Sequence, residues 1–131
     1  TRNTSIPEIV KATLDSIAYQ TLDLINAMEK DSKIKINELR IDGGMISNNI
    51  FIQSLSNILQ RNIFKPKNIE TTSLGVAYLA ALNSGLIKDI KDISKNEKKY
   101  KIYKPKISNI KIRKQIIKWK RTVNFLIKYY S

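Results

Sequence analysis

Residues 39–51 read LRIDGGMISNNIF, and the fold turns on how they are read. A strand-like run, Leu39 to Asp42, meets two adjacent glycines and then a polar helix opening, Ser47, Asn48 and Asn49, with Ile50 and Phe51 behind it. The chain holds four glycines, so Gly43 and Gly44 are half of the supply. Glycine lets the backbone take positive φ and lets another group approach where a Cβ would intrude. Between a strand end and a helix start, such a pair makes a floor for a flat or bulky ligand. The Asn48 and Asn49 amides and the Ser47 hydroxyl can then cap the helix or bond a ligand. A turn that merely closes a strand–helix connection fits the same residues. Neither GxxxxGK[ST] nor GxGxxG is present.

Upstream, residues 4–30 open with Ser5 three places before Glu8, a capping box, and with Pro7 in the first turn, where its missing N–H does no harm. Ile9, Val10, Leu14, Ile17, Thr21, Leu24, Ile25 and Met28 recur at helical steps, which predicts a long amphipathic helix. After a polar break, residues 36–42 predict a short strand ending at the glycine pair. Downstream, a second helix is expected from about Ser47, with Ile50, Phe51, Leu55, Ile58 and Leu59 on one face. Residues 61–66 read as a short edge strand ended by Pro66. Residues 70–85 predict a third helix that stops at Gly85, capped by Thr71 or Thr72, with Gly75, Ala77, Ala80 and Ala81 suited to close packing. Residues 86–106 are charged and irregular in pattern. From Ser108 on, Ile116, Trp119, Val123, Leu126, Ile127 and Tyr130 fall at helical spacing among lysines. That terminal amphipathic helix either docks on the body or offers a face to a membrane surface or partner helix.

Helix, strand, helix, strand, helix is an α/β order, and such sheets bind ligands beyond the carboxyl ends of their strands. The 131 residues are 42% hydrophobic, ample for a core and unlike a disordered composition. Cysteine and histidine are both absent, which removes disulfides, zinc sites of thiolate or imidazole and histidine acid–base catalysis from these residues. No apolar run approaches the ~20 residues of a membrane helix and no leader opens the chain, so a cytoplasmic location is expected.

The formal net charge of +13 is unevenly placed. Residues 1–90 carry ten Lys/Arg against nine Asp/Glu, and residues 91–131 carry fourteen against two. A balanced body with a basic tail differs from a basic domain. With 19 Lys to 5 Arg and 23 Ile to 3 Val, composition matches an AT-rich coding bias. The arginine fork that reads bases and phosphates is scarce, so nucleic acid is not the expected partner.

The stretch LRIDGGMISNN resembles the adenosine motif of the sugar-kinase, actin and heat-shock chaperone ATPase superfamily. In addition, ATLDSIAYQTLDLINAMEKDS (12–32), ETTSLGVAYLAAL (70–82) and WKRTVNF (119–125) occur in the order and spacing of the carboxyl-terminal part of the glycerol kinases, FGGY carbohydrate kinases, and the opening TRNTSIPEI resembles the entry to that part. The resemblance implies an actin-like, ribonuclease H-like ATPase domain of a sugar kinase, of which residues 1–106 are a segment on the nucleotide side. Residues 107–131 would be a basic amphipathic helix packed on it. The glycine pair is shared with xylulose and ribulose kinases, while SIAYQT and DGG with NN after it favour glycerol.

The activity implied by the resemblance is phosphoryl transfer from MgATP to glycerol, giving sn-glycerol 3-phosphate and ADP, in which positioning and charge neutralisation dominate. It assigns the nucleotide to Gly44 and Asn48, with Gly43 shaping the turn. Asp42 ends the strand, where a local hydrogen bond to the turn is as good a reading as a ligand role. Phosphate-binding segments, glycerol-gripping residues and the catalytic Asp would lie ahead of this part, so no catalytic residue and no Mg²⁺ ligand is assigned here. The missing N-terminal kinase part becomes the expected partner, in line with a first residue, Thr1, that is not methionine. A homo-oligomer is compatible with the sequence. Two departures stand out: Asn57 replaces the usual Asp before Ile58–Leu59, and Leu86–Ile87 replace the usual Trp after Gly85. The alternatives are a remnant or split-gene fragment, or a basic nucleic-acid- or membrane-binding module acting through residues 91–131.

Overall fold

The computed structural model describes residues 4–67, 70–96 and 100–131. The start of the resemblance at residues 1–3 therefore lies outside the described residues. The element order is α1 (Ile6–Ser32), β1 (Glu38–Arg40), a 3₁₀ turn (Gly44–Ser47), α2 (Asn49–Leu59), β2 (Asn62–Pro66), α3 (Thr71–Asn83), α4 (Ile90–Asn96), β3 (Tyr100–Tyr103) and α5 (Asn109–Tyr130).

α1 begins as its residues predict: the Ser5 backbone N–H donates to Glu8 Oε2 at 3.0 Å, the Ser5 hydroxyl bonds the same carboxylate, and Pro7 occupies the first turn. These bonds hold the Glu8 carboxyl below its ordinary pKa, the Ser5 side chain being the largest cause. The buried stripe is narrower than the apolar pattern and shifted from it. Ala18, Leu22 and Ile25 are buried, whereas Ile9, Val10, Leu24 and Met28 are exposed. A 27-residue helix carries more apolar surface than one short partner helix can cover.

The sheet has order β1-β2-β3. β1 pairs with β2 in parallel, Leu39 opposite Ile63, and Ile41 N–H continues the ladder to the Phe64 carbonyl at 3.2 Å. β1 is thus shorter than the 36–42 expected for it. β2 is the central strand and not an edge, because residues 100–103, irregular by pattern, form β3 antiparallel to it with Phe64 opposite Ile102. Pro66 is tolerated at the strand's end, where a missing N–H costs one terminal bond. The charged 86–106 segment also holds α4, so that expectation fails twice.

α2 is the centre of the molecule. Phe51, Ile52, Leu55, Ser56, Asn57, Ile58 and Leu59 are all buried, while Ile50, expected on the inner face, is 78% exposed. One cluster joins Phe51, Ile52, Leu55, Ile58 and Leu59 to Ala18, Leu22 and Ile25 of α1, Ile63 of β2, Tyr103 of β3 and Ile112 of α5. Burial on this scale supplies the main stabilisation, roughly 25 cal/mol for each Å² of apolar surface removed from water. The polar side of α2 fastens the segment leading to α5. Gln53 Nε2 donates to the Lys104 carbonyl (2.9 Å), Asn57 Oδ1 accepts from Lys106 N–H (2.7 Å), and Gln60 Nε2 donates to the Ile107 carbonyl (3.0 Å). Asn57 thereby has a structural task that an acceptor oxygen fulfils.

α3 behaves differently. It stops as expected, with Gly85 at φ +76 and its N–H on the Leu82 carbonyl at 3.2 Å. None of its residues is buried, however, and Val76 and Leu79 are 64% and 67% exposed. The close packing expected of Gly75 is not found, since no atom lies within 4 Å of where its Cβ would stand. Glu70, and neither threonine, occupies the cap position.

Two polar ties set the sheet on the helices. Glu29 of α1 accepts from Ile36 N–H at 2.6 Å and pairs with Arg61 Nη2 at 3.0 Å, both side chains largely buried. The Ile36 bond is the largest cause holding the Glu29 carboxyl below its ordinary pKa; burial opposes it and the Arg61 charge adds to it. Ser56, fully buried on α2, shares its hydroxyl proton between the Arg61 (2.9 Å) and Tyr103 (3.0 Å) carbonyls.

A candidate nucleotide-binding turn

The site is built where β1 runs out. Beyond Arg40 the chain leaves the sheet, and Gly43 takes φ +91, a conformation L side chains rarely adopt. The Gly43 carbonyl accepts from Ile46 N–H at 3.2 Å, opening the single 3₁₀ turn of Gly44–Ser47. Ile46, 2% exposed, plugs this turn into the core, while Met45 on its other side is partly exposed. Ser47 returns its hydroxyl to the Gly44 carbonyl at 2.8 Å. The turn is thus braced from below and self-bonded, with its glycine backbone outward. Gly44 lies outside the positive-φ region, and no atom beyond its own chain neighbours lies within 4 Å of where a Cβ would stand. Space above it is open.

Asn48 then starts α2. Its Oδ1 accepts from Ile50 N–H (3.0 Å) and Phe51 N–H (3.2 Å), satisfying two donors that the first turn leaves without helical partners. The carbonyl side of this amide is therefore committed to the cap, and its Nδ2 has no partner among the described residues. Asn49, weighed with Asn48 as a capping or ligand group, does not cap the helix: its Oδ1 accepts from Tyr103 OH at 2.6 Å and Lys65 Nζ at 3.2 Å, tying α2 to β3 and β2. Sequence proximity cannot separate two adjacent asparagines: Asn48 keeps an extended backbone as the cap, and Asn49 is the first helical residue.

Asp42, for which a local bond to the turn and a ligand role are equally good readings of the sequence, makes a long-range bond. Its Oδ2 accepts from the Thr71 hydroxyl at 2.8 Å, which links the end of β1 to the first residue of α3 across 29 positions. This contact was not legible in the sequence, although an Asp ending a strand and a Thr beginning a helix were each visible. It sets the glycine turn and the start of α3 side by side at the carboxyl end of the parallel pair, the end at which open α/β sheets bind ligands.

Among the described residues no group of three or more acidic side chains converges to hold a metal ion. Glu8 is engaged in its cap, and Asp15 with Lys11 and the Ser54 hydroxyl (2.6 Å). No helix among the described residues is long and apolar enough to cross a membrane.

Residues 1–84 match the C-terminal domain of the FGGY family of carbohydrate kinases. The chain is 42% identical over 129 residues to the glycerol kinase of Alkaliphilus metalliredigens, covering 98% of this chain and 26% of that protein. Its fold superposes on the crystal structure of Plasmodium falciparum glycerol kinase with ADP at a TM-score of 0.81 and 31% identity, covering 95% of this chain and 25% of that one. The ligand-bound xylulose kinase of Lactobacillus acidophilus shares the fold at a TM-score of 0.73 and 23% identity, over 100% of this chain and 27% of that one. The chain spans about a quarter of the length of the curated relatives it matches. The likeness to sugar kinases gives the sheet and helices their place in an actin-like ATPase fold.

Proposed function

This chain belongs to the FGGY family of carbohydrate kinases, and from that premise we propose that it is the C-terminal, adenine-nucleotide-binding segment of an ATP-dependent glycerol kinase. The parent enzyme converts glycerol and ATP to sn-glycerol 3-phosphate and ADP. The observation that carries this reading is the bare backbone at Gly44, open to solvent and flanked by the uncommitted Nδ2 of Asn48. A nucleoside laid on that floor meets no Cβ and finds an amide donor at its edge. Gly43 contributes by holding the turn in a conformation that other residues resist. The relative crystallised with ADP supports the choice of ligand.

The rest of the reaction is assigned elsewhere. Positioning the γ-phosphoryl, gripping glycerol and accepting its hydroxyl proton need phosphate-binding donors and a carboxylate base, for which these residues offer no constellation, and Mg²⁺ would be held by the nucleotide phosphates and that other part. An uncharged helix α3 with exposed Val76 and Leu79 supports a missing body that covers it. By itself the 131-residue chain is expected to bind adenine nucleotide weakly and to leave glycerol unphosphorylated; turnover by the purified chain would contradict this.

The decisive test is Gly44→Val in the complete gene product, read by calorimetric titration with ADP. Gly44 lies outside the positive-φ region and its Cβ position is open, so the fold is expected to survive while the nucleotide's space is filled and binding is lost. Unchanged ADP affinity in a folded variant would show that the nucleotide lies somewhere else.

A further inference from the structure

We propose that the outer face of α5 docks on an anionic lipid bilayer. The helix is held to the body along one side only. Ile112 is 1% exposed, Trp119 stacks on Tyr19 of α1 with ring centroids 5.2 Å apart, and Trp119 Nε1 donates to Asp23 Oδ2 at 3.2 Å. The opposite side carries Ile110, Ile117, Phe125 and Tyr129, between 58% and 73% exposed, at spacings of seven, eight and four residues that keep them on one face. Lys114, Lys118, Arg121 and Lys128 lie between them on that same face. Ile117 and Phe125 share a shallow dent with Lys114, Lys118 and Arg121.

Charge narrows the occupant. Residues 109–130 hold seven Lys/Arg and no Asp/Glu, against a nearly neutral residues 1–90. Protein interfaces are depleted in lysine, and the uncharged α3 has the composition that a covering protein body needs. α5 has the opposite composition, so its complement is a polyanion. The four apolar side chains then separate the polyanions. Single-stranded nucleic acid rewards aromatic stacking, whereas this face places isoleucine at two of its four apolar positions. A bilayer accepts both components: the apolar groups enter the headgroup boundary, and the lysine stems lie along it with their ammonium groups on lipid phosphates.

The test is co-sedimentation of the complete gene product with phosphatidylcholine vesicles, with and without phosphatidylglycerol, at about 0.05 and about 0.2 M salt. Expected are binding that requires phosphatidylglycerol, weakening at the higher salt, and about a fivefold loss for each of Lys114→Gln and Arg121→Gln. The charge-neutral pair Ile117→Ser and Phe125→Ser should weaken binding by at least a comparable factor, with ADP affinity and Trp119 fluorescence unchanged. Absence of binding to the anionic vesicles at low salt overturns the proposal. So does vesicle binding that survives the Ile117 and Phe125 substitutions while short RNA competes fully, which would make α5 a plain polycation.

Discussion

Helices α2 and α3 invite comparison because both are apolar, nearly equal in length and each positioned after a strand, yet α2 buries seven side chains and α3 none. The difference is not in propensity. α2 crosses between two parallel neighbours of one sheet and is roofed by α1, so the covalent chain returns to it from three directions. α3 leaves the sheet after its central strand, and Thr71 on Asp42 ties it to the site. α3 is therefore left with its apolar residues uncovered by the described residues.

The comparison breaks most directly at Ile52, fully buried on α2. Ile52→Ala is expected to cost about 2–5 kcal/mol, read as a shift of the urea midpoint, since the cavity has rigid neighbours on every side. A loss below about 1 kcal/mol would mean that α2 is not the core. Asn48→Ala comes next. It removes the cap of α2 and should cost about 1 kcal/mol of stability, while lost nucleotide affinity in the complete protein would be about the same size if Nδ2 meets the ligand. A stability loss with unaltered ADP affinity would leave Asn48 a cap and nothing more.

The Glu29 tie should show as acid sensitivity. Its carboxyl is held below the ordinary value of 4.5, chiefly by Ile36 N–H, so its contribution is complete above that value and fades as pH falls through the lower folded pKa. Glu29→Gln should flatten the acid limb of a stability–pH profile and leave the neutral plateau lower. An unchanged limb would remove Glu29 from the account. The smallest effect belongs to α3: Leu79→Ser in this chain should move stability by no more than about 0.5 kcal/mol. If the same substitution in the complete protein is equally silent, α3 has no covering body, and the contrast between the two helices loses its explanation.

Much of the fold is legible residue by residue. The capping box of Ser5 and Glu8, the Gly85 stop and the strand–glycine–helix turn at 39–51 are local signals, and each stands where its residues place it. The resemblance to kinases rests on four ordered segments and agrees with the family match over residues 1–84. What fails are statements about neighbours. β2 reads as an edge because KIYKPK hides its strand among lysines, and β3 exists because β2 offers it a free ladder. Ile50 and the outer residues of α1 look like core because apolar periodicity reports the width of a stripe and not the size of its partner. Asn49 groups with Asn48 by sequence, although Tyr103, 54 positions away, claims it.

By itself, then, the amino-acid sequence determined the elements, their caps and the bare glycine floor, because those depend on dihedral preferences and hydrogen bonds within a few residues. Only the tertiary structure decided which strand is central, which asparagine oxygen caps α2 and which ties it to the sheet, and which apolar faces are left over. Those outcomes depend on surfaces brought together from distant parts of the chain, and a helix cannot signal in its own residues whether its partner is present.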